Sequence, residues 1–352
     1  MIIYWIPFLI LATLSIFEQS KSNKSIVLIF ICFFLILIIG FRHEVGCDWE
    51  PYIRYIHLLA KMNLAEVLAY SPQDDLGHKL TNWLFSRFSY DIYAVNSIYG
   101  LIFIFGLYKF AKNENSPYLV FAIAATYLLT VVVMGYSRQG VAIGIILYAI
   151  TFLNKGKILK VMILLLIASL FHKTALLMAP FFLLNEKYLS NKFLFTLLII
   201  FFLWFIFSEA SSYKLDALYR DYIVDQMKSD GTYYRLFINL LPAFFLLLLK
   251  KKWKKNYNDY NFYYYLTLAS IVSFIFVEFF STAIDRLSLY FIPLQLAVFS
   301  RLPILTKKYL KPNLTKIIII IYYSNIHFIW INFGTHSKCW IPYQNIFFKG
   351  IF

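Results

Sequence analysis

Apolar stretches long enough to cross hydrocarbon recur from end to end of this sequence, separated by polar breaks. Runs such as Ile26–Ile39 lack the alternation of a barrel strand and the polar stripe of a soluble helix. The pattern predicts an all-α fold: a polytopic integral membrane protein with about twelve transmembrane or partly spanning helices. They are expected near 1–17, 25–41, 92–110, 118–135, 138–154, 158–171, 174–185, 192–208, 234–249, 260–280, 286–302 and 315–333. Residues 1–352 are expected to form a single transmembrane domain. The first run, Ile2–Phe17, lacks a basic start and a small-residue cleavage site, so it reads as a retained span and not a signal peptide.

The stretch from Ile158 to Leu184 is too long for one untilted crossing, about 40 Å as a helix against a core of about 30 Å. It holds His172-Lys173 in its middle, a costly pair to bury in lipid. It is either one strongly tilted helix or two short segments meeting at His172. Charge arbitrates. With two segments and an outside N-terminus, 19 of the 33 basic residues and only four acids fall on the inner face, including the lysine run from Lys250 to Lys255. The other 14 basic and 14 acidic residues fall outside, so the whole net charge of +15 sits on one face. This is the positive-inside pattern, and a single helix at 158–184 would break it. The outer face then carries long loops at 42–91 and 209–233 and a C-terminal tail at 334–352, and loop elaboration there places recognition on that side. Within the first loop, Asn63 to Tyr70 reads as an amphipathic surface helix.

Composition agrees: 61% of residues are hydrophobic and mean hydropathy is +0.68, against about 45–50% apolar residues in a soluble domain. No nucleotide-binding glycine loop and no Cys/His zinc spacing is present. The positive charge is a topology signal at an anionic membrane lipid surface, and no nucleic acid partner is expected. Of three cysteines, Cys32 lies within a span, while Cys47 and Cys339 both lie on the outer side and are expected to form a disulfide that ties the first outer loop to the tail.

The polar residues near spans form separate clusters in sequence that this topology brings to one membrane level. Arg42, His43, Glu44 and Asp48 follow the second span. Arg138 and Gln139, then His172 and Lys173, sit at outer turns. Glu278, Asp285 and Arg286 lie around another, and Tyr343 in the tail. Three arginines beside hydrocarbon are costly unless an anion or carboxylates balance them, and their forks match phosphate oxygens. Arg42, Arg138 and Arg286 are therefore candidate diphosphate ligands. The alternative is internal pairing, of Arg42 with Glu44 or Asp48 and of Arg286 with Glu278. Asp48, Glu44 and His172 are candidate bases for a sugar hydroxyl. Asp48 or Glu44 alternatively balances Arg42, and His172 alternatively bonds a freed helix-end carbonyl. His43, His57 and His78 read as ordinary loop residues. Arg286 and Tyr290, four apart, are expected on one helix face, with Tyr290 available to a sugar or serving as a plain interface tyrosine.

Five elements in order resemble the EpsG family of exopolysaccharide proteins, which resemble Wzy O-antigen polymerases. They are Phe41-Arg42 with Val45-Gly46-x-Asp48 and Tyr52; Ser137-Arg138-Gln139 with Ala142; Phe171-His172-Lys173-Thr174-Ala175; Asp285-Arg286 with Tyr290; and Pro342-Tyr343. The resemblance implies a GT-C-like glycosyltransferase of the bacterial inner (cytoplasmic) membrane, active at the periplasmic face. It implies a substrate of undecaprenyl-diphosphate-linked oligosaccharide, polymerised without nucleotide, cofactor or metal, with a chain-length regulator protein as an expected partner. It carries Arg42, Arg138 and Arg286 over to the diphosphate and Asp48 or His172 to the base. Glu44, Gln139, Asp285, Tyr290 and Tyr343 are further candidate substrate contacts. A single-sugar transferase using polyprenyl phosphate, a flippase and an acyltransferase are the rival readings.

Overall fold

A computed structural model describes residues 1–18, 24–71, 74–88, 91–185 and 231–348. These residues are almost entirely helical. Helices α1 (Ile2–Ile16) and α2 (Lys24–Gly40) are followed by a two-residue strand β1 (Arg42–His43) and three short helices, α3 (Trp49–Ala60), α4 (Leu64–Ala69) and α5 (Leu76–Phe85). Then come α6 (Asp91–Lys112), α7 (Pro117–Ala124) running into a π-helix at Ala125–Val133, α8 (Ser137–Ile150), α9 (Ile158–Phe171) and α10 (Ala179–Leu183). The second half contains α11 (Thr232–Leu248), α12 (Lys250–Asn256), α13 (Tyr260–Phe276), α14 (Ser281–Ser288), α15 (Ile292–Leu305) and α16 (Pro312–Phe333), with strand β2 at Gln344–Asn345. By length and composition, Asp91–Lys112, Ser281–Leu305 and Pro312–Phe333 suffice to cross a membrane, and α11 with α12 adds a fourth if that pair, bent by 77°, is one span. The expected segment at 192–208 and most of the loop at 209–233 lie outside the described residues.

The stretch after Ile158 is two segments. Helix α9 ends at Phe171, and a 3-10 turn at Lys173–Met178 leads into α10, which has a proline in its first turn. The segment after Asn63 is a helix because Asn63 and Glu66 form a reciprocal capping box, at 3.0 and 2.8 Å, that satisfies two orphan amides.

The chain divides into two compact units. The first comprises Met1–Thr151, Ile163–Ala175 and Phe299–Phe352. Its centre is the α6–α8 pair, whose backbones touch: a Cβ added at Gly106 would lie 1.8 Å from the Gly144 carbonyl oxygen. The tail is docked firmly on this unit. Trp340 donates from Nε1 to the Thr130 carbonyl at 2.8 Å, and its own carbonyl accepts from the Tyr4 hydroxyl at 2.7 Å. Thr130 and Thr126 belong to the π-helix, and His327 Nδ1 lies 3.0 Å from the Thr126 carbonyl. Strand β1 pairs antiparallel with β2, placing Arg42 opposite Asn345, and Cys47 is disulfide-bonded to Cys339. The pairing expected from the sequence is thus present. After proteolysis anywhere between the two cysteines, the fragments are expected to migrate together on a non-reducing gel and separate with reductant; separation without reductant would contradict the bond.

Two acid–base contacts also lie within the first unit. Glu114 receives Arg301 Nε at 2.8 Å and Nη2 at 2.7 Å, with Ser300 at 2.9 Å, and Lys316 lies 3.7 Å from Glu18. Breaking a buried pair of this kind by removing one partner costs about 3–5 kcal/mol.

The second unit comprises Phe152–Met162 and Leu176–Val298. In it α11 packs on α13 and α14, with Leu236, Val277 and Ile284 forming a small core. Phe182 of α10 meets Phe262 of α13 at 4.8 Å.

Candidate active site

The first sequence element folds as a sharp turn after α2. Glu44 and Gly46 have positive φ, 52° and 102°, and the Gly46 amide donates to the Cys339 carbonyl at 2.8 Å. A Cβ at Gly46 would sit 3.1 Å from the Met134 carbonyl, so both the angle and the space require glycine. This turn buries Arg42, 2% exposed, whose guanidinium donates to the Ile39 carbonyl at 2.5 Å and to Asn96 Oδ1 at 2.8 Å. Burial pulls its pKa down to about 10, offset in part by the phenols of Tyr343, Tyr52 and Tyr4, so it stays charged at neutral pH. Tyr343, from the last sequence element, donates its hydroxyl to the Ile38 carbonyl at 2.9 Å and accepts from Asn345 at 3.1 Å. His43 Nδ1 lies 2.6 Å from the Tyr93 hydroxyl and Nε2 lies 3.4 Å from exposed Glu44. Asp48 is exposed and starts α3, its carbonyl accepting the Tyr52 amide at 3.0 Å.

Four residues on, Tyr52 hydrogen-bonds Arg138, at the start of α8. Arg138 Nη1 also donates to Asp75 Oδ2 at 3.1 Å, and Asp75 Oδ1 accepts the Lys173 amide at 3.2 Å. This contact exists because α5 approaches the end of α9 closely: a Cβ at Gly77 would lie 2.9 Å from the Leu170 carbonyl oxygen. The Asp75 side chain is 8% exposed and that of Arg138 39%, so the carboxylate is buried while the arginine stays partly accessible. Burial raises the Asp75 pKa above the ordinary carboxylate range, opposed by Arg138 and by the Lys173 amide. His172, beside Lys173, is half-buried with Nδ1 2.5 Å from the Thr174 hydroxyl, and its carbonyl accepts the Ala175 amide at 2.9 Å. Gln139 is buried next to Arg138.

One turn beyond Asp75, His78 is enclosed. Tyr55 stacks on it at 5.4 Å, Tyr52 meets it edge-on at 5.6 Å, and its Nδ1 lies 2.8 Å from the Tyr99 hydroxyl. Burial, reinforced by Arg138, pushes its pKa well below 6.5, so it is neutral. The unfolded chain protonates this histidine near pH 6.5 while the folded one does not. Unfolding therefore takes up a proton, and stability falls as pH drops below about 6.5. The thermal midpoint of the detergent-solubilised protein is expected to decline in that window, and His78→Phe to flatten the decline; an equal decline in the variant would contradict it.

Four of the five sequence elements thus gather in the first unit around Tyr52. The fourth element lies in the second unit. There Asp285 is buried and accepts from Arg235 Nε, Arg286 is exposed, and Tyr290 is fully buried in a 3-10 turn at Leu289–Phe291. The backbone changes from α to 3-10 between Arg286 and Tyr290, and the two do not share the one helix face expected from four-residue spacing. Glu278 accepts from the Tyr233 hydroxyl at 2.5 Å. Sequence reasoning passed over Arg235 and Asp75 and took His78 for an ordinary loop residue, whereas it is a buried helix residue. The available signal was Asp74-Asp75, the one adjacent acidic pair in the sequence, four and three residues before His78. Among the described residues, no group of three or more His, Cys, Asp or Glu side chains is placed to hold a metal.

The chain matches the EpsG family over residues 2–345, a range that contains all five elements. It belongs to the EpsG family. No curated protein and no solved structure matches it. EpsG membership, with the apolar helices, makes it an all-α, multi-pass membrane protein and points to a polysaccharide-polymerase-type glycosyltransferase.

Proposed function

We propose that this EpsG-family protein polymerises lipid-linked oligosaccharide repeat units. It would transfer the growing glycan from undecaprenyl diphosphate to a sugar hydroxyl of the incoming unit. The observation that carries this reading is the partly exposed Arg138, anchored by Asp75 and Tyr52 next to the helix break at His172. The acceptor hydroxyl attacks the anomeric carbon of the donor, a new C–O bond forms, and the bond to the diphosphate oxygen breaks. The hydroxyl proton passes to His172, half-buried at the edge of this cluster, or to Asp48, exposed one helical turn before Tyr52. Arg138 stabilises the charge that builds on the departing diphosphate. Arg42, buried, adds positive potential behind Tyr52. The diphosphate leaving group makes a nucleotide unnecessary.

The reading places this chemistry at the periplasmic face of a bacterial inner membrane, on a GT-C-like scaffold of about twelve helices. The Cys47–Cys339 bond supports that side, since disulfides persist in oxidising compartments. Loops 42–91 and 209–233 would select the glycan, and a chain-length regulator would act alongside. Cells lacking the protein are expected to carry only single-repeat lipid-linked glycan on a gel. A normal long ladder would contradict polymerase function.

A further inference from the structure

We infer that Asp75 is a positioning residue, its carboxylate fixing the Arg138 fork toward the donor diphosphate and at the same time pinning the helix break that carries His172. This assignment rests on the polymerase reading above and deepens it.

Both carboxylate oxygens are committed, Oδ2 to Arg138 at 3.1 Å and Oδ1 to the Lys173 amide at 3.2 Å. A general base needs a lone pair within reach of the hydroxyl it deprotonates, and Asp75 has spent its best-placed ones inside the protein. Its geometry suits orientation instead. An arginine side chain on its own samples many rotamers, whereas one guanidinium edge held by a buried carboxylate leaves the remaining donors facing a single direction. Tyr52 also bonds the guanidinium, so it is held from two places, α3 and the cap of α5. The Lys173 amide is an orphan donor at the start of the 3-10 turn Lys173–Met178, and without Asp75 that turn loses an acceptor one residue from His172. One carboxylate therefore sets the spacing between the proposed leaving-group cation and the imidazole, and small displacements of such groups are costly to catalysis.

Asp75 faces Arg138 from α8, the amide and charge of Lys173 after α9, and Asp74 beside it, with His78 one turn on in α5. Burial lifts its titration, so on acidification it is protonated, and its hold on Arg138 weakens, earlier than for an ordinary carboxylate.

The test uses the full chain in nanodiscs and undecaprenyl diphosphate as the probe, with Arg138→Ala, Asp75→Asn, Asp75→Glu and the Arg138→Ala/Asp75→Asn double variant. Each alanine or asparagine single variant is expected to weaken binding about tenfold or more, and the double variant to be no weaker than the worse single one. Asp75→Glu recovers part of the loss. Wild-type binding is expected to weaken on acidification above the ordinary carboxylate range, a step that Arg138→Ala lacks; this arm needs no folded Asp75 variant. Wild-type affinity in Asp75→Asn, losses that multiply in the double variant, or a flat wild-type pH profile would overturn the assignment. If Arg138→Ala loses binding while Asp75→Asn keeps it, only the Asp75 role fails. If the wild-type protein does not bind the probe, the polymerase reading fails with it.

Discussion

Arg138→Ala is expected to lower the turnover of lipid-linked repeat units by about 10²–10³-fold, with a smaller change in KM for the acceptor unit. The size follows from what the group faces. Arg138 is held by Asp75 at 3.1 Å and by Tyr52, yet its side chain is 39% exposed, so it is preorganised and accessible together. A fixed cation stabilises charge that appears only as the diphosphate leaves, and so acts on the chemical step. Arg138→Lys is expected to recover only part of the loss, because an ammonium cannot bond Asp75 and Tyr52 and still present a planar fork. A radiolabelled repeat-unit assay separates kcat from KM. Unchanged turnover in Arg138→Ala would remove this residue from the chemistry.

The largest effect on folding is expected at the α6–α8 contact. Gly106→Leu should destabilise the protein by upward of about 3 kcal/mol and sharply reduce the folded yield. The helices touch backbone to backbone. A Cβ at Gly106 would fall 1.8 Å from the Gly144 oxygen, and one at Gly144 would fall 2.6 Å from Phe103 Cα. The clash is with main chain, which no side-chain rotation relieves, so the helices must separate. Small residues in membrane helices serve this close approach. Separation would also carry Arg138, at the start of α8, away from Asn96 and Tyr99 of α6, which hold Arg42 and His78. The thermal midpoint and monodisperse yield of Gly106→Leu and Gly144→Leu check this. Wild-type values in both would show that the close approach is dispensable.

Much of the helical plan was legible because lipid imposes a simple demand on sequence, long apolar runs with polar ends. The break at His172 was legible for a related reason, since a 27-residue stretch with His-Lys at its centre has no comfortable straight crossing. The cysteine pair was legible once both partners fell on one side. The heart of the candidate site was not. Asp75 and Arg138 are 63 residues apart, and their contact depends on Gly77 meeting Leu170, a packing event with no local signature. Arg42 looked available because it follows a span, but Asn96 of α6 and the docked tail enclose it. Tyr290 looked paired with Arg286 by spacing, and a short 3-10 turn rotated it into the core. The π-helix at Ala125–Val133 likewise meets distant side chains, Trp340 and His327, that its own sequence does not announce.

Reconstitution of the purified protein in liposomes with undecaprenyl-diphosphate-linked repeat units as the sole substrate tests the central claim most directly. A ladder of whole-repeat multiples, with one undecaprenyl diphosphate released per bond and no nucleotide added, is the predicted result. Repeat units left unchanged, or lengthened only by single sugars from a polyprenyl-phosphate donor, would contradict it.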